Sequence, residues 1–398
     1  MARASSTLLG AMFLMATSAI GPGFITQTTT FTVQLGAAFA FAIAISLVVD
    51  VALQLNVWRV IGVTGRRAQE LGNLVAPGLG GAMAALLLAG GLVFNVGNVS
   101  GAGLGAATMV GVDPRVGGAV SAALAVGVFL NRRAGVAMDR SVVVLGVAMV
   151  VLTTGIAMTS QPPVGRALRN VVTPEQVDVL AITTLIGGTI GGYIVYAGAH
   201  RLLDAGVSGA ARVREITVAS VTGILVTGLM RTILFLAILG VVQSGAVLDV
   251  QHAAASAFEQ AAGWWGRRVF GVVFWAASMT SIIGASYTTV SFLTSRRTSE
   301  RVRGGLVCAF ILASALVFVA AGTAPVALLV FAGAFNGVLL PVGIGVLLWV
   351  ATRRRDLLGG YTYPRGLLVA GWSAWLVTLY LAAQSVGPAL RLVWPGGT

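Results

Sequence analysis

The sequence predicts an all-α polytopic membrane protein with about eleven transmembrane helices, and three observations predict it. Of 398 residues, 57% are hydrophobic and only 9% are charged, with a mean hydropathy of +0.94. Apolar runs long enough to cross a bilayer recur from end to end. The 25 basic residues are all arginine, and they cluster in the short segments between those runs.

The runs are taken in order, with soft boundaries, as one transmembrane unit over residues 1–398. Span 1, roughly 8–34, follows Arg3 and reads as a membrane helix rather than a cleaved leader, because many spans follow it. Span 2, roughly 38–60, runs into a basic segment at Arg66 and Arg67. Span 3, roughly 78–108, is rich in glycine. Spans 4 and 5, roughly 116–131 and 138–157, are short and separated by Asn131–Arg133, with Asp139 and Arg140 opening the second. An outer loop, "TSQPPVGRALRNVVTPEQ", has room for an interfacial helix before span 6, roughly 178–204. Span 7, roughly 216–243, carries Arg231. The segment Gln243–Gly266 also has room for a short helix, and Trp264 and Trp265 suit a membrane interface. Span 8, roughly 266–292, carries Ser278, Thr280, Ser281 and Ser286. Spans 9, 10 and 11 follow at roughly 304–322, 325–350 and 365–386; span 10 holds Asn336 near Pro341, and Asn336 is placed to meet a carbonyl released by the proline.

With the N-terminus in the cytoplasm, eighteen of the 25 arginines fall on the inner side and six on the outer side, and Arg231 alone lies within a span. This bias predicts a multi-pass protein of the cell membrane with an extracytoplasmic C-terminus. The net charge of +13 therefore calls for lipid headgroups as partners, not nucleic acid. Cys308 is the only cysteine, so there is no intrachain disulfide and no cysteine metal cluster. No Walker sequence, catalytic triad spacing or Cys/His cluster appears, so neither a cofactor nor an enzymatic reaction is predicted. A monomer suffices. His252 reads as an exposed single histidine.

Two spans are interrupted at equivalent places. Span 1 carries "GPGFITQTTTFTVQLG" (Gly21–Gly36), with five threonines within seven residues. Pro22 lacks an amide donor and threonine hydroxyls take up freed carbonyls, so a discontinuous helix is expected there. Span 6 holds Gly187, Gly188, Gly191 and Gly192 just before Tyr193. Backbone groups freed inside hydrocarbon must be met by protein, water or substrate. Breaks in spans 1 and 6 point to two inverted five-span repeats, about 8–157 and 178–350, plus an extra helix at about 365–386, with a substrate site between the breaks. The plainer alternative is that the glycines only let helices pack closely.

Candidate substrate-binding residues follow from that layout. They are Gln27, Thr28, Thr29, Thr30 and Thr32 beside the first break, Asn95 and Asn98 on span 3, Gly191, Gly192 and Tyr193 at the second break, and Arg231 on span 7. Candidates for coupling to a proton or ion are Asp50, midway along span 2, and His200 and Asp204 at the inner end of span 6. Charges at this depth are costly and belong against protein or a watery cavity. A structural pair is the simpler alternative for Asp50 and Arg231, and bonding to neighbouring arginines is the simpler alternative for Asp204.

Several stretches resemble the NRAMP family of proton-coupled divalent metal transporters. They are "GPGFIT" and "QLGAAFAF", then "LQLNVWRVIGVTGRRAQELGN" for span 2 and its loop, "GRRVFGVVFWAASMTSIIGASYTTVSFL" for span 8, and "FAGAFNGVLLPVGIGVLLW" for span 10. The resemblance implies the LeuT-like amino-acid/polyamine/organocation fold, with a 5+5 inverted repeat and broken helices 1 and 6. It also implies a secondary transporter working by alternating access, with H⁺ as the candidate coupling ion. The metal-binding motifs do not carry over. Where the family has Asp-Pro-Gly-Asn in span 1, this chain has "TQTTTFT", with no carboxylate between Gly21 and Val49. Where the family has Met-Pro-His in span 6, this chain has Gly191, Gly192 and Tyr193. Asn98 stands near a position where relatives often carry an acid. The cargo is therefore left open between a divalent metal ion and a neutral or anionic organic solute. A membrane enzyme and a non-transporting binding protein are the remaining alternatives.

Overall fold

The computed structural model describes residues 20–131, 147, 149–245, 248, 253–294, 298–321 and 324–394. The first half of span 1, part of span 5 and His252 lie outside the described residues. All regular structure among the described residues is helical. The elements are α1 (Pro22–Leu35), α2 (Phe39–Thr64), α3 (Ala68–Val75), α4 (Leu79–Val110), α5 (Pro114–Leu130), α6 (Met149–Thr159), α7 (Val164–Val172), α8 (Val179–Ile190), α9 (Ile194–Asp204), α10 (Val213–Gln243), α11 (Ala253–Leu293), α12 (Glu300–Ala321), α13 (Pro325–Arg353) and α14 (Arg365–Arg391). Eight helical stretches are long and apolar enough to cross a membrane, with α1 and α2 counted as one and α8 and α9 as another; α5 and α6 are shorter and apolar. Among the described residues each expected span meets a helix, span 1 in its second half and span 5 toward its end.

Local chemistry explains the ends. Pro22 opens α1 at a position where no amide donor is needed, and Gly36 closes it at φ +54°. Asp113 caps α5 by accepting from the amides of Arg115 and Val116. Asp178 caps α8 through the Ala181 amide at 2.7 Å. α7 is the helix expected in the outer loop. In α11, Ala262 and Gly263 leave helical geometry and divide an outer arm from the spanning part.

Two sequence expectations are corrected. The threonine run of span 1 does not break the helix. Thr28 donates to Phe24 O at 2.7 Å and Thr32 donates to Thr28 O at 2.6 Å, so both hydroxyls are satisfied within a regular helix. The helix starts at Pro22 with Gly21 as its flanking residue, at the head of the quoted stretch. Span 10 is also unbroken. α13 runs through Pro341, and Asn336 does not meet the carbonyl that the proline releases. It donates instead to Ala332 O at 2.9 Å and Gly90 O at 3.0 Å.

α4 runs through the middle of the bundle, flanked by α5, α11 and α13. α8 lies against α13 so closely that a Cβ on Gly187 would stand 2.0 Å from Gly333 O. Glycine at this contact lets the two backbones touch, which fixes where the second break sits.

Candidate functional site

Both breaks are built on glycine. α8 ends at Gly191, where the backbone turns extended (φ −70°, ψ 163°). Gly192 follows at φ +54°, in the left-handed region. A Cβ on Gly192 would lie 2.2 Å from Asn336 Oδ1, so the asparagine fills the space that a side chain would take. α9 begins at Tyr193 without a side-chain cap. α1 begins at Gly21, also without one, which leaves the Gly23 and Phe24 amides without intrahelical acceptors.

The two broken ends meet on α4 and α11. The Tyr193 hydroxyl lies against Asn98, and its ring packs edge-on to Phe94 with centroids 5.8 Å apart. Gly21 borders the same asparagine. A Cβ on Gly21 would be 3.9 Å from Asn98 Oδ1 and 2.9 Å from Ser281 Oγ. Ser281 Oγ is buried without a hydrogen-bond partner, and Asn98 Nδ2, also buried, has none beyond its contact with the Tyr193 hydroxyl. Unmet polar atoms are costly inside a protein and call for a specific account. Their clustering where two half-helices begin makes this the candidate ligand position.

Other predicted residues are placed elsewhere. Asn95 donates to Ser286 Oγ and Ser314 Oγ, both at 3.0 Å, and so ties α4 to α11 and α12. Gln27 is fully buried, and its Nε2 donates to Leu329 O at 3.0 Å, joining α1 to α13. Thr28 and Thr32 spend their hydroxyls on their own helix. Thr29, whose buried hydroxyl has no partner, and Thr30 border a cavity of about 20 Å³ with Thr26, Thr108, Phe270 and Phe274.

Arg231 and Asp50 converge on Thr189, one turn before the second break. Arg231 Nη1 donates to Thr189 Oγ1 at 2.9 Å, and Asp50 interacts with both Thr189 and Arg231. The Arg231 guanidinium also lies 4.4 Å over the Phe24 ring of α1. The group therefore joins spans 1, 2, 6 and 7 behind the site. Asp50 places an opposite charge near the buried arginine, while Asp50 Oδ1 and Arg231 Nε and Nη2 are buried without hydrogen-bond partners.

At the end of the bundle that carries Arg67, a cavity of about 510 Å³ opens between α9 and α11. Arg67, His200, Arg201, Asp204 and Arg303 line it. Asp204 accepts from Arg67 at 2.9 Å, while His200 is buried with both ring nitrogens unpartnered. The cavity also touches Ala197 and Gly284. Ala197 is one turn beyond Tyr193 and Gly284 one turn beyond Ser281, so the opening stops about 5 Å short of the candidate site. The small cavity beside Thr29 holds no more than a water.

Of the sequence candidates, Asn98, Gly191, Gly192 and Tyr193 lie together at the candidate site. Gly21 and Ser281 join them there, and Thr189 and Arg67 lie behind it and in the vestibule, without having been candidates. Ser281 had a partial signal in its spacing from Ser278 on a polar span, whereas Thr189 looked like any helix threonine. Spans 1, 3, 6 and 8 contribute no acidic residue to the site: positions 1–49, 79–110, 179–203 and 260–299 contain no Asp or Glu. Among the described residues no group of three or more His, Cys, Asp or Glu is placed to hold a metal ion.

Known proteins share both the sequence and this architecture. The chain is 46% identical over 390 residues to the uncharacterized membrane protein YcsG of Bacillus subtilis, covering 98% of this chain and 96% of that one. It is 47% identical over 382 residues to an uncharacterized membrane protein of Haemophilus influenzae, covering 96% of each. The structure is similar to that of the Eremococcus coleocola manganese transporter, with a TM-score of 0.76 at 16% identity over 98% of this chain and 88% of that one. It is also similar to MhsT solved with L-phenylalanine, with a TM-score of 0.69 at 13% identity over 97% and 98% of the two chains. The helical architecture expected from the broken spans is therefore the LeuT-like fold. The Nramp family model, natural resistance-associated macrophage protein-like, matches residues 12–387, and the chain belongs to that family.

Proposed function

We propose that this chain is a secondary transporter that works by alternating access, with its cargo held between the breaks at Gly21 and Tyr193. The observation that carries this reading is the convergence of two uncapped half-helices on Asn98 and Ser281, whose buried donors lack partners apart from the Tyr193 hydroxyl. The arginine bias places the N-terminus and the Arg67 end in the cytoplasm and the C-terminus outside. The cavity of about 510 Å³ at that end supports an inward-facing state. The two repeats, about 8–157 and 178–350, are the halves that rock. His200 and Asp204 in the vestibule, and Asp50 behind the site, are the titratable groups available for coupling to protons.

The site's chemistry favours a polar organic solute. Its ligands are an amide, two hydroxyls and backbone groups, all neutral. A dehydrated divalent cation there would lack the carboxylate compensation that such ions usually take. Family membership and the fold shared with the E. coleocola manganese transporter favour a second reading, a divalent metal ion as cargo. Calorimetry on the purified full chain with Mn²⁺, alongside Mg²⁺ and Cd²⁺, decides between them. The expected result is no saturable binding at millimolar metal. Saturable Mn²⁺ binding that is lost in Asn98→Ala would establish the metal reading and remove the organic one.

A further inference from the structure

The central site offers more donors than acceptors, and their arrangement names a class of solute. α1 is fourteen residues long, starts at Pro22 and has no side-chain cap. Its first free amides, on Gly23 and Phe24, carry the positive end of its dipole. α9 starts at Tyr193 without a side-chain cap; its Ile194 and Tyr196 amides are taken by Gly191 O and Tyr193 O, so it adds the positive end of its dipole more than free donors. Asn98 Nδ2 and Ser281 Oγ add two side-chain donors, each on a residue about 5% exposed, Ser281 Oγ without a partner and Asn98 Nδ2 with none beyond the Tyr193 hydroxyl. Ser281 Oγ comes within 2.9 Å of the Cβ position of Gly21, the residue that begins α1, and Asn98 Oδ1 within 3.9 Å. The side-chain donors and the helix start therefore surround one point. A buried carboxylate needs several hydrogen-bond donors and no like charge nearby. This point provides both, because none of the four spans around it contributes an acid. The vestibule beneath is basic, with Arg67, Arg201 and Arg303 against Asp204, which raises the local concentration of anions at its mouth.

We propose that the solute is a small organic anion whose carboxylate sits at the N-terminus of α1, accepting from the Gly23 and Phe24 amides, Asn98 Nδ2 and Ser281 Oγ. The Tyr193 hydroxyl and the carbonyls that end α8 face the rest of the molecule and suit a hydroxyl or amide on it. This rests on the central-site reading above and fixes the charge of its cargo.

Matched acids and amides test it. The full chain in detergent is titrated with acetate, lactate and benzoate, and in parallel with acetamide, lactamide and benzamide at equal ionic strength, following thermal stabilisation and tryptophan fluorescence. At least one acid should bind about tenfold or more tighter than its amide, as expected when one charge-assisted site is gained. Asn98→Asp places a like charge at the site and should weaken that acid at least about tenfold while leaving its amide little changed. Ser281→Ala removes one donor without adding charge and should weaken the acid several-fold, which keeps the test open if Asn98→Asp folds poorly. A cysteine at Gly284 gives an independent readout, since a Cβ there meets open space. In Gly284→Cys with Cys308→Ser, the acid should slow thiol modification and the amide should not. Amides binding as tightly as acids would overturn the carboxylate and leave the central site intact. Acid binding unchanged in both Asn98→Asp and Ser281→Ala would overturn the placement. No response to acids, amides or Mn²⁺ would overturn both the carboxylate and the central site.

Discussion

Gln27 stands beside the first break, and its replacement tests whether it packs the closed half of the protein or binds cargo. Its carboxamide lies in a slot between two glycines on facing helices. A Cβ on Gly188 would be 2.3 Å from Gln27 Oε1, and one on Gly333 would be 2.4 Å from Gln27 Nε2. Ordinary contact begins near 3.4 Å, so Gly188→Ala must find roughly 1 Å by displacing the carboxamide, an overpacking cost of about 1–3 kcal/mol. Gln27→Ala removes the bond to Leu329 O, worth about 1 kcal/mol net, and leaves a void where the buried side chain stood. In the double variant the new methyl enters the vacated slot. The two changes should then be less than additive by about 1–2 kcal/mol, a coupling expected only of groups in contact. Thermal unfolding of the four proteins in one detergent measures it. The order expected is wild type above both single variants, with the double variant at or above Gly188→Ala. A double variant that loses the full sum of the two single losses would refute the slot, and a carboxamide free to bind cargo would then become the better reading of Gln27.

Two other outcomes follow from the same coordinates. Asp50→Asn leaves Arg231 buried without its counter-charge and should destabilise by about 3–5 kcal/mol, with much of the loss recovered when Arg231→Gln is added; thermal unfolding of Asp50→Asn at the wild-type temperature would end the compensation reading. In the outer loop, Arg166 donates twice to Glu175, at 2.9 and 2.7 Å, and these bonds hold the Glu175 carboxyl below the ordinary value of 4.5. A lowered folded pKa means that the pair's stabilisation is present above the unfolded value and lost as pH falls through the folded one. Amide exchange across α7 and the following turn should therefore rise only on acidification below about pH 4.5, and Arg166→Ala should abolish that dependence at unchanged global stability.

The spans were legible because they are properties of contiguous sequence: run length and hydropathy. The second break was legible because Gly191 and Gly192 cannot sit comfortably in a helix flanked by Gly187 and Gly188. In the first stretch, Gly21–Gly36, it is the glycines at its ends that bound a helix, and the threonines do not interrupt it. A threonine run reads as disruption in sequence, yet a hydroxyl that donates to its own i−4 carbonyl is compatible with a helix, and Thr28 and Thr32 do this. The site itself was half legible. Asn98 and Tyr193 stood out as polar groups at depth, but the worth of Ser281 depends on its distance to Gly21, some 260 residues away in the chain. The pairing of Asp50 with Arg231 was foreseeable from charge alone. Thr189 as the group between them was not, since nothing in a local sequence tells one buried threonine from another.

Fold and cargo separate in this protein for a physical reason. The scaffold is specified by many small, redundant contributions: apolar runs, helix-end residues and close glycine contacts spread over all the spans. A TM-score of 0.76 at 16% identity shows how much substitution that scaffold accepts. The cargo is specified by a handful of atoms at one point, and changing the charge there costs the fold little. Asp50, the buried acid among the described residues, faces Arg231 rather than the site. The partial charges that reach the centre are the positive ends of α1 and α9 and the negative end of α8, and the vestibule below is lined by Arg67, Arg201 and Arg303 with Asp204. A divalent cation travelling from that mouth to Asn98 would meet one carboxylate, already bonded to Arg67, and no carboxylate at the candidate site. An anion on the same path would meet an excess of positive charge at the mouth and the start of α1 at the centre. Fold-level kinship alone does not name a cargo, and it is the chemistry around Asn98 that carries the proposal made above.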